Sequence, residues 1–536
     1  MPETPILDRL VRTLGLVVLP LAQGGSDPFN PDLRWVFPAP ATDQWIPSDV
    51  TFAGSENLVW VSSVGTEGRW SVLDAPGESP AGARTPHFQG SAPASSATSV
   101  MAVAGQGADA LYGMRQEVVS GNDRLSEVFR HDALKAGGAA TMDPVWTFTS
   151  GVVSRGSALV ATDHGGQLVA FAVLDPDLAR IELNWIDGPS GALIQQRFVP
   201  GSALNELQVS ANGKRVVLAA GLDVFVFNGR GAQIDQLART AATPALALSS
   251  TGRVLAVGGS SRLDVWVQGP GSYRIVRTLL GSPVELATRA ALSANGSLLA
   301  LTWWDRTTGV GLRLETWDLA PGTRLINYSQ NGLVGGPQNV AQALHMTPDG
   351  RRVALGTWGL GGAEPEVLLF DLDDPSPVFS ADLPGSVHAL ALDSTGTRIA
   401  VAHKDAHANQ FSSTGGVRFF DTGERALQQQ DVPVLGGQVQ LVAARPGAGS
   451  VLFLIGERAP QPIHIPGVGG AALLLQRSSL LVYPRSADSS GRAQWSANIP
   501  DDPAWIGVPW SAQAAFRVDG STELSGVVID PLVLAP

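Results

Sequence analysis

Three groupings in the sequence hold residue types that could do chemistry. His403, Asp405 and His407 are the densest cluster of potential metal ligands. In an extended strand their two-residue spacing sets all three on one face. The stretch Ala402–Ser413 around them is polar, however, and reads as a loop between two strands with the three side chains solvated. Trp303-Trp304-Asp305-Arg306 offers an aromatic platform for a sugar or peptide, set against a packing role in the core. Asn212-Gly213 and Asp349-Gly350 have the look of calcium loops but lack alternating carboxylates and a distal Glu, so they read as tight turns. There is no Gly-x-Ser-x-Gly elbow, Gly-rich phosphate loop or His-Glu-x-x-His. No catalytic, metal or cofactor-binding residue is assigned, and no cofactor is expected.

The elements that must position these residues are visible as a repeat. Ser210-Ala-Asn-Gly213, Ser249-Ser-Thr-Gly252, Ser293-Ala-Asn-Gly296, Thr347-Pro-Asp-Gly350 and Asp393-Ser-Thr-Gly396 align, their glycines 39, 44, 54 and 46 residues apart. A side-chain oxygen at the first position can bond the turn backbone, and glycine supplies the positive φ that closes it. An apolar run precedes each turn and another follows, such as Val254–Val257 or Leu298–Leu301. A third ends in an aromatic, as in Glu315-Thr-Trp317-Asp318 and Leu368-Leu-Phe370-Asp371. The unit is a β-meander of the length of one propeller blade.

These turns, with their aromatic-Asp strand ends, make residues 201–430 resemble the WD40-like propellers of bacteria. No unit carries the Gly-His dipeptide, so the buried His–Asp bonding of full WD40 blades is not implied. Leu159–Phe171 is similar to the repeat of quinoprotein-type propellers. Ile499–Pro503 followed by Gly507, Gln513 and Ala514 resembles a β-sandwich module common at the C-terminus of exported planctomycete proteins. The expected fold is all-β: a propeller of about eight blades, or seven, over residues 25–434, then a small β-sandwich over 435–536.

Composition limits the partners. A net charge of −12 without long basic runs disfavours nucleic acid and anionic membranes. With no cysteine there are no disulfides and no thiol chemistry. Arg9 and Arg12 precede the apolar run Leu14–Ala22, and Ala22-Gln23-Gly24 is a small-x-small site, so residues 1–24 read as a secretory leader. That run is too short to span a bilayer, and no transmembrane segment is expected. The expected function is a non-catalytic, exported scaffold at the cell envelope. It would bind a protein, peptide or glycan through loops such as Gly359–Pro365 and Lys404–Gly415. The alternative is an enzyme using the channel, either a quinoprotein-type dehydrogenase or a polysaccharide hydrolase. N-terminal sequencing of secreted protein should find a start just after residue 24, whereas an intact Met1 on cytoplasmic material would exclude export.

Overall fold

The computed structural model describes residues 144–422 with few breaks, strands between Asp32 and Asp132 ahead of them, and strands between Ala426 and Ile529 behind. The leader region, residues 1–24, lies outside the described residues, as do Asp501, Pro503 and Gly507 of the C-terminal motif. The described residues are all-β, in many small, almost entirely antiparallel sheets. They form two compact units: Leu33–Ser394 with Ile399–Phe420, and a second made chiefly of Asp421–Pro536.

The first unit is a succession of meanders, an architecture compatible with a propeller-like fold. Sheet 1 has eight strands and reads as two four-stranded runs, Trp45–Ser91 and Ser99–Ser154, bridged by the single pair Val64–Ser99. Sheets 2 to 6 each have four strands in chain order, spanning 158–200, 204–238, 245–280, 285–331 and 341–381. Sheet 7 takes Val387–Leu392, Arg398–Lys404 and Gly415–Asp421, and its fourth place is filled by Asp32–Pro38 from the other end of the chain.

Burial explains the strand composition. Second strands such as Leu168–Asp175 and Arg352–Thr357 are buried at every position, as strands covered on both faces must be. Fourth strands such as Leu193–Pro200 are mostly exposed. The cores lie between neighbouring sheets. Trp185 and Phe227 meet between sheets 2 and 3, and Trp303 packs with Leu263 and Val265 between sheets 4 and 5. Phe379 and Phe420 meet between sheets 6 and 7, and Phe52 and Phe419 between sheets 7 and 1. The first strand of each run neighbours the first strand of the next, and Val387–Leu392 neighbours Trp45–Ala53.

The repeat turns hold this stack in register. The amides of Arg215, Val254 and Leu298 donate to Ser210, Ser249 and Ser293 Oγ at 2.9, 3.0 and 3.0 Å, and Arg352 N–H to Thr347 Oγ1 at 3.0 Å. The turns also bond to one another across sheets. Asn212 N–H donates to Ser250 O at 3.2 Å, Ser250 N–H to Ala294 O at 2.9 Å, and Ala294 N–H to Pro348 O at 2.8 Å. Asp163–Gly166 joins the series on the other side, with Leu168 N–H on Asp163 Oδ1 at 3.0 Å and His164 N–H on Ala211 O at 3.1 Å. The segment Leu159–Phe171 thus has the same turn bonding as the other units.

The second unit has a three-stranded sheet (Ala426–Gln429, Gln438–Ala444, Arg492–Asn498), a five-stranded sheet and a two-stranded ribbon (Arg458–Ile463, Leu473–Leu475). Strand Ala448–Gly456 of the five-stranded sheet alternates. Val451, Phe453 and Ile455 share a core with Leu441 and Trp495 of the three-stranded sheet, while Leu454 packs with Leu473 and Leu475 of the ribbon. That sheet is therefore covered on both faces.

Gly296 tests the turns. Its φ is +74°, and a Cβ there would lie 2.6 Å from Val254 Cγ2 and 3.2 Å from Ser249 Cβ of the preceding turn. Gly271 has φ +95° with open space around it. Gly271→Ala should cost only backbone strain, about 1 kcal/mol, and Gly296→Ala about 2–3 kcal/mol, read as a larger fall in denaturation midpoint.

Candidate functional site

The three groupings flagged by sequence separate clearly. Asn212-Gly213 and Asp349-Gly350 lie in the repeat turns, where Asn212 Oδ1 and Asp349 Oδ1 accept from Lys214 and Arg351 amides, both at 3.0 Å. Trp303 is no platform. It is fully buried and its Nε1 donates to Glu315 Oε2 at 2.9 Å. Trp304 is half-buried and donates to Gly309 O at 3.1 Å, closing the turn to the next strand.

Glu315, 3% exposed, anchors a network that sequence reading missed. Trp317 Nε1 donates to its Oε2 at 3.2 Å, and Arg324 Nη1 to Oε1 at 2.8 Å. Arg313 joins it and also holds Glu285 in a two-bonded pair, at 2.7 and 3.0 Å. Burial pushes the Glu285 carboxyl up, but the bonds from Arg313 and the Ser282 amide leave it below its ordinary value. With both Glu315 oxygens bonded twice, this network holds sheet 5 together.

The inner, first strands hold the next set. Glu206 of strand Leu204–Val209 and Arg289 of Glu285–Leu292 each follow a break in pairing register, as does Asp49 of Trp45–Ala53. Burial raises the Glu206 carboxyl, while Arg289 and the Gln208 amide pull it back. Arg289 reaches the next first strand, donating to Gln342 O at 2.8 Å, and Gln208 does the same to Leu246 O at 2.9 Å. Asp49 is pushed up to about 7 by burial. Gln208 and Arg289 therefore stitch neighbouring sheets together, while Glu206 of sheet 3 faces Arg289 of sheet 5.

The third cluster is where loops of sheets 6 and 7 meet. His403 is buried near the end of its strand, not in a solvated loop, with Nδ1 3.5 Å from Asp405 Oδ1. Burial, then the charge of Arg418, drives its imidazole down to about 4 against the pull of Asp405. His407 turns away from that pair. Its Nε2 lies 2.8 Å from Gln338 O, and its ring meets Trp358 edge-on at 6.1 Å. Ser386 Oγ donates to Trp358 O at 2.7 Å and accepts from Ala408 N–H at 2.8 Å. Four loops are thereby tied together, at 334–340, 358–366, 382–386 and 405–414, of which 361–363 and 411–413 lie outside the described residues.

Acid and base groups line this cluster. Glu366, 2% exposed, is pushed up to about 7, first by burial and then by the neighbouring Asp382 carboxylate, against the Leu383 amide on its Oε2 at 2.7 Å. Burial lowers the half-buried Arg418, which faces both Asp405 and Asp382. No group of three or more His, Cys, Asp or Glu among the described residues is placed to hold a metal ion. No helix among them is long and apolar enough to cross a membrane. No family model matches the chain, and no curated protein matches it either.

Removing the anchor of the missed network gives a clear expectation. Glu315→Ala leaves Arg313, Trp303 and Trp317 without their shared acceptor and should cost about 3–5 kcal/mol in urea unfolding, with Glu315→Gln losing less.

Proposed function

We propose that the first unit is an eight-bladed, WD40-like β-propeller in an exported, non-catalytic protein. It captures a protein, peptide or glycan at the cell envelope through the loop cluster of sheets 6 and 7. The ring is supported by eight consecutive four-stranded runs among the described residues. Adjacent first strands, including the last against the first, and the seat of Asp32–Pro38 in sheet 7 support its closure. The sandwich reading of the second unit rests on its facing three- and five-stranded sheets. Its likeness to the module of exported planctomycete proteins belongs to the proposal too, as does export itself.

The observation that carries the binding reading is the convergence of four loops from two sheets on Trp358 and His407. A rigid scaffold that fixes several loops at one end, with a half-buried aromatic and charged groups among them, is the ordinary construction of a recognition surface. Asp382, Asp405 and Asn409 are exposed there and can bond a polar partner.

Arrays of defined glycans and defined peptides, probed with the chain lacking residues 1–24, should give a saturable ligand. Trp358→Ala with His407→Ala should weaken it by at least about tenfold, about 1.4 kcal/mol, in protein that circular dichroism shows to be folded. Full binding by that double variant would remove the site from this cluster.

A further inference from the structure

We propose that Glu366 and Asp382 form a proton-operated clasp, holding the described segments 358–360 and 382–386 against Glu366 in acid and loosening them towards neutral pH. As regulation of ligand capture it rests on the binding reading above; as a property of the loops it stands alone.

The geometry is that of a buried carboxyl closed in by both loops. Leu383, in the second loop, donates its amide to Glu366 Oε2 at 2.7 Å. From the first loop, Gly359 approaches so closely that a Cβ there would lie 2.1 Å from Oε1. The Gly359 amide is itself held by Asn339 Oδ1 at 3.1 Å and Thr357 Oγ1 at 3.2 Å, so the loop cannot easily back away while those bonds persist. Neutral Glu366 can donate a proton to the Asp382 carboxylate. Once ionised it can only repel it. Asp382 also faces Arg418, but that guanidinium is shared with Asp405, which in turn lies 3.5 Å from His403 Nδ1. Burial keeps His403 neutral down to about pH 4, so it does not titrate where Glu366 does.

The sign follows from linkage. The closed loops bind the Glu366 proton up to about pH 7, whereas an open loop releases it near the ordinary value of 4.5. Closure is therefore fully supported below about pH 4.5. It weakens by up to about tenfold per pH unit as pH rises towards 7, and levels off above.

Hydrogen exchange of the full chain, corrected for the intrinsic pH dependence of exchange, reads this directly. Peptides containing Gly359 and Leu383 should lose at least about tenfold in protection between about pH 5 and pH 7.5. Glu366→Gln keeps a donor towards Asp382 and should flatten that slope. Asp382→Asn, which removes the repulsion, should at least reduce it and serves if the first variant fails to fold. A flat profile in the wild-type chain, or a wild-type slope in a folded Glu366→Gln variant, overturns the clasp. A sloped profile without any array ligand upholds the clasp and counts against the binding reading alone.

Discussion

The constraint on which the first unit depends is the bond from each repeat turn to the next. A turn of this kind is held internally by a few hydrogen bonds, one of them from a backbone amide to the side-chain oxygen of its first residue. That is a small local stabilisation, about 1 kcal/mol in a typical intramolecular bond. The amides of Asn212, Ser250 and Ala294 donate to carbonyls of the following turn, so the local motif also fixes the angle and spacing of whole sheets. Glycine is needed there because the preceding turn occupies the space where a side chain would stand, as Val254 does beside Gly296. The apolar cores between the sheets supply most of the driving force, and the turns decide which register that force acts in.

The polar groups buried in this stack sort by whether their bonding is complete. Glu315 has both oxygens met by nitrogen donors and acts as a rigid joint. Glu366 has an amide on one oxygen, a glycine pressed against the other and a second carboxyl beside it, so its bonding depends on its own proton. This difference, rather than any difference in residue type, separates a structural carboxylate from one that can respond to its surroundings.

Much of the fold was legible in the sequence where the signal was local chemistry. The Ser-x-x-Gly and Thr-x-x-Gly turns carry their own hydrogen-bond donors and acceptors, and the apolar runs beside them form the expected paired strands. The strands ahead of the repeat region pair in the same antiparallel way, Leu58–Ser63 with Arg69–Asp74 and Ala110–Gly113 with Phe129–Asp132. Asp163–Gly166 is a further member of the series, with the same Asp-x-x-Gly form 47 residues before Gly213, disguised in the sequence by the second glycine beside it. The candidate site was legible only in part. Loops at 359–365 and 404–415 stand out by composition, yet nothing local says that His407 meets Trp358 or that Asp382 faces Glu366. Those partners come from different strands, and their meeting is set by the stacking of sheets 6 and 7. His403 was misplaced for a related reason, since its polar neighbours obscure the fact that its strand runs on to Lys404.

The seat of Asp32–Pro38 beside Gly415–Asp421 has a consequence for how the chain comes to be folded. Sheets 2 to 6 each join strands close in sequence and can form as soon as they are made. Sheet 7 cannot be completed until its last strand exists, because one of its four strands was synthesised long before the other three. Until then Asp32–Pro38 has no strand to pair with and Arg398–Lys404 keeps a row of unpaired amides and carbonyls, an edge on which another chain could add a strand. The slowest and most vulnerable stage of assembly is thus set where the two ends of the first unit meet, in the same sheet whose 405–414 loop is proposed to bind.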